Sequence, residues 1–118
     1  MPKKAPTTQL SMKHLRAMGF TVEKVEHYNA WSHRYNDLFG VFDLLAIREN
    51  EGIIGVQVTT RDHLANRITK ILDSHAAELW TRVGGRIVAH GWFKKGNRWG
   101  LKEEEITQDD FRLEDSAP

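Results

Sequence analysis

Two nearly continuous apolar runs dominate the middle of the chain. They are residues 40–47 (GVFDLLAI) and 53–60 (IIGVQVTT), and five turn-forming residues, 48–52, separate them. Apolar runs of this length joined by a short polar turn predict two antiparallel strands buried on both faces. Upstream, residues 9–18 place Leu10, Leu15 and Met18 at helical spacing, with Thr7 or Thr8 as the expected cap and Gly19 as the stop. Residues 20–28 (FTVEKVEHY) alternate and predict a strand. The polar stretch 29–36, with Trp31, His33, Arg34 and Tyr35, reads as a loop. Residues 61–83 carry the stripe Leu64, Ile68, Ile71, Leu72, Ala76, Leu79 and Trp80, which predicts a helix with a break or kink at 73–75. Two further strands, 86–93 and 98–104, are expected across the turn 94–97. The order α-β-β-β-α-β-β predicts an α/β domain with a mixed sheet.

The two apolar runs are each interrupted at one polar position, and those positions are in register. If Ile47 pairs with Ile53 across the turn, Asp43 falls opposite Gln57, and Thr59 follows two residues later on the same face. A buried carboxylate is costly unless it is paired, hydrogen-bonded or metal-bound. A carboxylate, an amide and a hydroxyl gathered in such a region are therefore candidate site residues. Glu26 on the first strand and Asp37 just before Gly40 could join them. On the long helix His63, Arg67, Lys70 and Ser74 share a polar stripe.

Composition narrows the class. The chain has 118 residues, 40% hydrophobic and 28% charged, which suits one globular domain: residues 1–8 loose, 9–105 folded, 106–118 an acidic tail with one helical turn. The absence of cysteine excludes a disulfide framework, a thiolate metal site and a cysteine nucleophile, and fits a cytoplasmic protein. No apolar run reaches the ~18–20 residues of a membrane span. The net charge of +1 conceals a segregation: residues 1–102 hold 16 of the 17 Lys and Arg but only 9 of the 16 Asp and Glu. A basic body suits a polyanionic partner. The acidic end either competes with that partner or keeps the chain soluble. The six histidines show no paired zinc spacing, and no phosphate-binding glycine loop or hydrolase elbow is present.

The pattern Gly40-x-x-Asp43 followed by Gln57-x-Thr59, on the second and third strands of an αβββαβ chain, resembles the PD-(D/E)XK nuclease superfamily over about residues 9–93, most closely its small Holliday-junction-resolvase-like and phage-type members. The resemblance implies a restriction-endonuclease-like core with a mixed sheet flanked by helices. It further implies Mg²⁺-dependent (or Mn²⁺-dependent) hydrolysis of DNA phosphodiesters, with branched DNA among the expected substrates and a homodimer as the expected assembly. Position by position, Asp43 is the motif aspartate, Gln57 stands at the acidic position of the tripeptide and Thr59 at the lysine position. The last two depart from the pattern. Metal ligation is therefore assigned to Asp43 and Gln57 with Glu26 and Asp37, and the cationic role to Lys70. Arg34, Tyr35, Arg61, His63, Arg67 and Lys70 are the expected DNA contacts. Two other classes stay open: a nuclease-fold DNA-binding or accessory protein without catalysis, and a protein-interaction domain in which Asp43 and Gln57 form a core hydrogen-bond network.

Overall fold

A computed structural model describes residues 6–115, so most of the N-terminal stretch expected to be loose (1–5) and the end of the acidic segment (116–118) lie outside the described residues. Helix α1 (Thr7–Ala17) leads into β1 (Thr21–Lys24). Short strands β2 (His27–Asn29) and β3 (Arg34–Asn36) follow, then the long pair β4 (Leu44–Arg48) and β5 (Gly52–Thr60). Helices α2 (Arg61–Leu72) and α3 (His75–Arg82) precede β6 (Arg86–Lys95) and β7 (Arg98–Ile106), and α4 (Gln108–Asp115) closes the described chain. Five strands form one sheet in the order β1-β4-β5-β6-β7; β5 and β6 run parallel and the other neighbours antiparallel. The fold is mixed α/β, as the element pattern predicts. No described helix is long and apolar enough to cross a membrane.

Period-two alternation along β5 and β6 feeds two cores, one on each face of the sheet. Ile54, Val56 and Val58 with Val88 and Trp92 pack under α1, against Met12 and Leu15. Ile87 and Ala89 face the other way, toward Leu64 and Ile71 of α2, Ala77 of α3 and Phe111 of α4. The segment read as an acidic tail thus begins with a helix that inserts a buried phenylalanine.

Several boundaries differ from the sequence reading, each for a local reason. Neither Thr7 nor Thr8 caps α1 with its side chain; Pro6 occupies the cap position and both threonines are buried in the first turn. The expected strand over 20–28 breaks after Lys24, and its second half leaves the main sheet to pair with β3. The expected loop at 29–36 is therefore a small hairpin. Its turn is held by the Asn29 side-chain oxygen, which accepts from the backbone N–H of Trp31 at 2.9 Å and of Ser32 at 3.3 Å. The strand expected from residue 40 begins only at Leu44, because Phe39 and Gly40 both adopt left-handed backbone angles (φ 57° and 71°) that an extended chain cannot include. The break expected near 73–75 separates two helices, with Ser74 Oγ accepting from Ala77 N at 3.1 Å as the cap of α3.

Candidate functional site

Strand β4 pairs with β5 as Leu44↔Val56 and Ile47↔Ile53, the register that puts Asp43 opposite Gln57. Asp43 lies just ahead of β4 and is 2% exposed. Its Oδ2 accepts two hydrogen bonds, from Gln57 Nε2 at 2.8 Å and from the Val58 backbone N–H at 2.7 Å. The Gln57 amide nitrogen is thereby committed, which leaves its oxygen as the ligating atom it can offer.

Two more carboxylates reach the same place. Between Asp37 and Asp43 the chain reads Leu-Phe-Gly-Val-Phe, and Leu38 bridges Phe42 across the tight turn. The flanking residues, Asp37 and Asp43, are therefore brought face to face. Glu26 arrives by the break in β1. In an unbroken strand it would share the face of Val22, under α1; β1 ends at Lys24, and the Glu26 carboxylate meets Asp37 and Asp43 instead. One carboxylate oxygen from each of Glu26, Asp37 and Asp43 lies within 4.8 Å of the others. Glu26 and Asp43 are buried and Asp37 is half-buried.

Three acids so close cannot all ionise at neutral pH without a cation. Asp43 bears most of the effect: its pKa is pushed up to about 9, first by burial, then by a hydrogen bond and charge repulsion from Asp37, with a smaller contribution from Glu26 and a partial offset from the Val58 N–H. In the metal-free protein at pH 7, Asp43 is protonated.

Gln57 connects this cluster to a small cleft of about 80 Å³ lined by Phe39, Gly40, Val41, Gln57, Arg67, Lys70, Ile71 and Ser74. Arg67 and Lys70, one turn apart on α2, thus stand over the Gln57 end of the site. Thr59 is buried on β5 opposite Gly91 and is neither in the acid cluster nor among the residues lining the cleft. His63 is exposed on α2 and does not line the cleft either. Arg61, the first residue of α2, turns toward β6, its guanidinium 4.3 Å from the centre of the Phe93 ring. Arg34 and Tyr35 sit on the β2–β3 hairpin, where the Tyr28 and Tyr35 rings meet edge to face at 5.3 Å and Trp31, at the tip, is 95% exposed.

A second polar line, absent from the sequence reading, runs through the α1 side of the sheet. Ser11 Oγ lies 2.8 Å from His90 Nδ1, and His90 Nε2 lies 2.8 Å from Glu103 Oε2. This hydroxyl–imidazole–carboxylate order resembles a nucleophilic triad, but Ser11 is fully buried and its oxygen accepts from Trp92 Nε1 at 2.7 Å. No substrate can reach it. The line joins α1 to β6 and β7. The hydrogen bond from His90 holds the Glu103 carboxyl below its ordinary range.

No family model, curated protein or solved structure matches the chain. The functional reading therefore rests on the geometry itself.

Proposed function

We propose that the chain is a divalent-metal-dependent nuclease that hydrolyses DNA phosphodiesters, built on a restriction-endonuclease-like core. The observation that carries this reading is the convergence of Glu26, Asp37 and Asp43 within 4.8 Å, beside a cleft that adds the cations Arg67 and Lys70. The order α1-β1-β4-β5-α2-β6, with the β2–β3 hairpin as an insertion, supports the same core.

The donor set fits the metal class. Three carboxylates and an amide oxygen are hard ligands suited to Mg²⁺ or Mn²⁺, and no imidazole or thiolate is among them. A divalent ion held there supplies Lewis-acid polarisation of a phosphate oxygen and lowers the pKa of a bound water. The chain's own residues do the rest. Gln57 fixes the Asp43 carboxyl. Lys70 and Arg67 place positive charge where a phosphate entering the cleft develops negative charge, which takes over the role of the lysine that Thr59 does not provide. Trp31, His33 and Arg34, on the hairpin that leads directly into Asp37, offer a base-stacking and phosphate-binding edge.

A second reading has its own observation. Gln57 brings no charge and Asp43 holds its proton to about 9, so a DNA-binding protein without catalysis is the alternative. Labelled four-way-junction and linear duplex DNA, incubated with Mg²⁺, Mn²⁺ or EDTA beside Asp43→Asn, separate the two. Metal-dependent cutting lost in the variant is the expected result. Salt-sensitive binding without cutting in either metal would replace the nuclease by the accessory protein, and absence of both would sink the DNA reading.

A further inference from the structure

The acid cluster and the β6–β7 turn lie at the same end of the sheet. Strand β4 is antiparallel to β5, so the start of β4 sits beside the end of β5; β6 is parallel to β5, so its end points the same way. Gln57 is level with Ala89, and β6 continues six residues further, to Lys95, which pairs with Arg98. At ~3.3 Å per residue the arm overhangs the site level by about 20 Å.

At the base of that overhang Glu103 bonds His90 and Glu104 pairs with Lys102 at 3.7 Å; beyond them it is charged in one sense only. Residues 94–102 contain Lys94, Lys95, Arg98 and Lys102 and no acid. Among the described residues no carboxylate pairs with Lys94, Lys95 or Arg98. At the opposite end of the sheet the cations are neutralised: Arg86 pairs with Glu51 and Glu105, and Arg48 with Glu51. The arm also carries aromatics under cations, the exposed Trp99 and the half-buried Phe93. The Lys94 ammonium is 5.3 Å from the centre of the Trp99 ring and Arg61 covers Phe93, around an open cleft of about 300 Å³ in which Asp62 is the one lining acid. An isolated exposed lysine needs no explanation. A run of unneutralised cations interleaved with aromatics, confined to the end that holds the acid cluster, is the pattern of a nucleic-acid contact.

We infer that the β6–β7 arm is a second DNA-binding surface, gripping the backbone of the duplex whose scissile phosphate lies at the acid cluster. The inference rests on the DNA reading above and deepens it. With ~3.4 Å of helix axis per base pair, a reach of about 20 Å places the arm's contacts about six base pairs from the cut. Trp99 packs against the sugar edge while Lys95 and Arg98 neutralise phosphates.

Lys95→Gln/Arg98→Gln tests this against a charge-matched control, Arg16→Gln/Arg82→Gln, of which Arg16 reaches the Val22 carbonyl of β1 and Arg82 pairs with Glu78 on α3. Duplex DNA affinity is measured in EDTA across a salt series, with thermal melting confirming that both variants fold. The slope of log K against log salt should fall by about 2 in the arm variant, with a loss of affinity of about tenfold or more at 0.1 M salt, and stay near wild type in the control. A duplex truncated to fewer than six base pairs on the arm side should abolish the difference. Wild-type protein that binds DNA, with the arm variant binding as well as wild type or no worse than the control, overturns the arm while leaving the DNA reading intact. Wild-type protein that binds no DNA removes both.

Discussion

Asp43 arrives at neutral pH with its proton because its site is buried and faces two other carboxylates. Its pKa rises from the ordinary carboxylate range to about 9, so between those limits the folded chain holds a proton that the unfolded chain has released. Stability of the metal-free protein therefore falls as pH rises from about 4 toward about 9, the opposite of the usual salt-bridged aspartate. Asp43→Asn mimics the protonated side chain and keeps an oxygen for Gln57 and Val58. In EDTA it should melt with wild type near pH 4 and above it at pH 8, as thermal scans across that range would reveal; a variant that melts below wild type at pH 8 would contradict the assignment. Lys70 gives a separate prediction. Lys70→Met should lower the cleavage rate by about 10²-fold or more at saturating metal, because it removes a charge felt by the reacting phosphate. It should leave the metal-induced rise in melting temperature unchanged, because Lys70 lines the cleft and is not a ligand.

At the scale of elements, what could be read in advance followed hydrophobic period and turn length. Five polar residues between two apolar runs allow few registers, so the pairing of Asp43 with Gln57 was visible before any coordinates. The β2–β3 hairpin was not, because its strands are three residues long, polar, and held by an Asn29 turn and a tyrosine pair rather than by an apolar face. The break in β1 and the symmetric loop 37–43 also escaped, although the arrangement Asp-Leu-Phe-Gly-Val-Phe-Asp, with a glycine at its centre, is a usable signal in retrospect. That loop depends on an absent side chain. A Cβ at Gly55 would stand 2.6 Å from the Phe42 ring, which is fully buried over the strand. Gly55→Ala should destabilise by about 1–3 kcal/mol through overpacking. Since Phe42 directly precedes Asp43, it should also weaken metal binding more than an equally destabilising change in the α1 core, such as Val88→Ala. Denaturant unfolding and a metal titration on the two variants would make the comparison.

The whole molecule is polarised along the strands. The sequence divides its charge near residue 102, but that division falls inside β7: Glu103 bonds His90 close to the level of Gln57, and Glu105 bonds Arg86 at the end remote from the site, so both acids are structural partners. On the proposed DNA reading the remaining electrostatic contest is at the site end, where the acid cluster would repel phosphate and Arg67, Lys70 and the two hairpins would attract it. Each ionisation of the cluster weakens DNA binding unless a divalent ion compensates. In EDTA, wild-type affinity for duplex DNA should therefore decline as pH rises from 7 to 9 and Asp43 loses its proton, whereas Ca²⁺ or Mg²⁺ should flatten the decline and release protons on binding. Asp43→Asn has no proton to lose at this position and should show neither the decline nor the full metal effect. Fluorescence anisotropy of a labelled duplex, with pH and metal varied together, reads all four conditions. The same pH decline in the variant would mean that the binding energy is set away from the acid cluster, and the cluster would then have no part in holding the scissile phosphate.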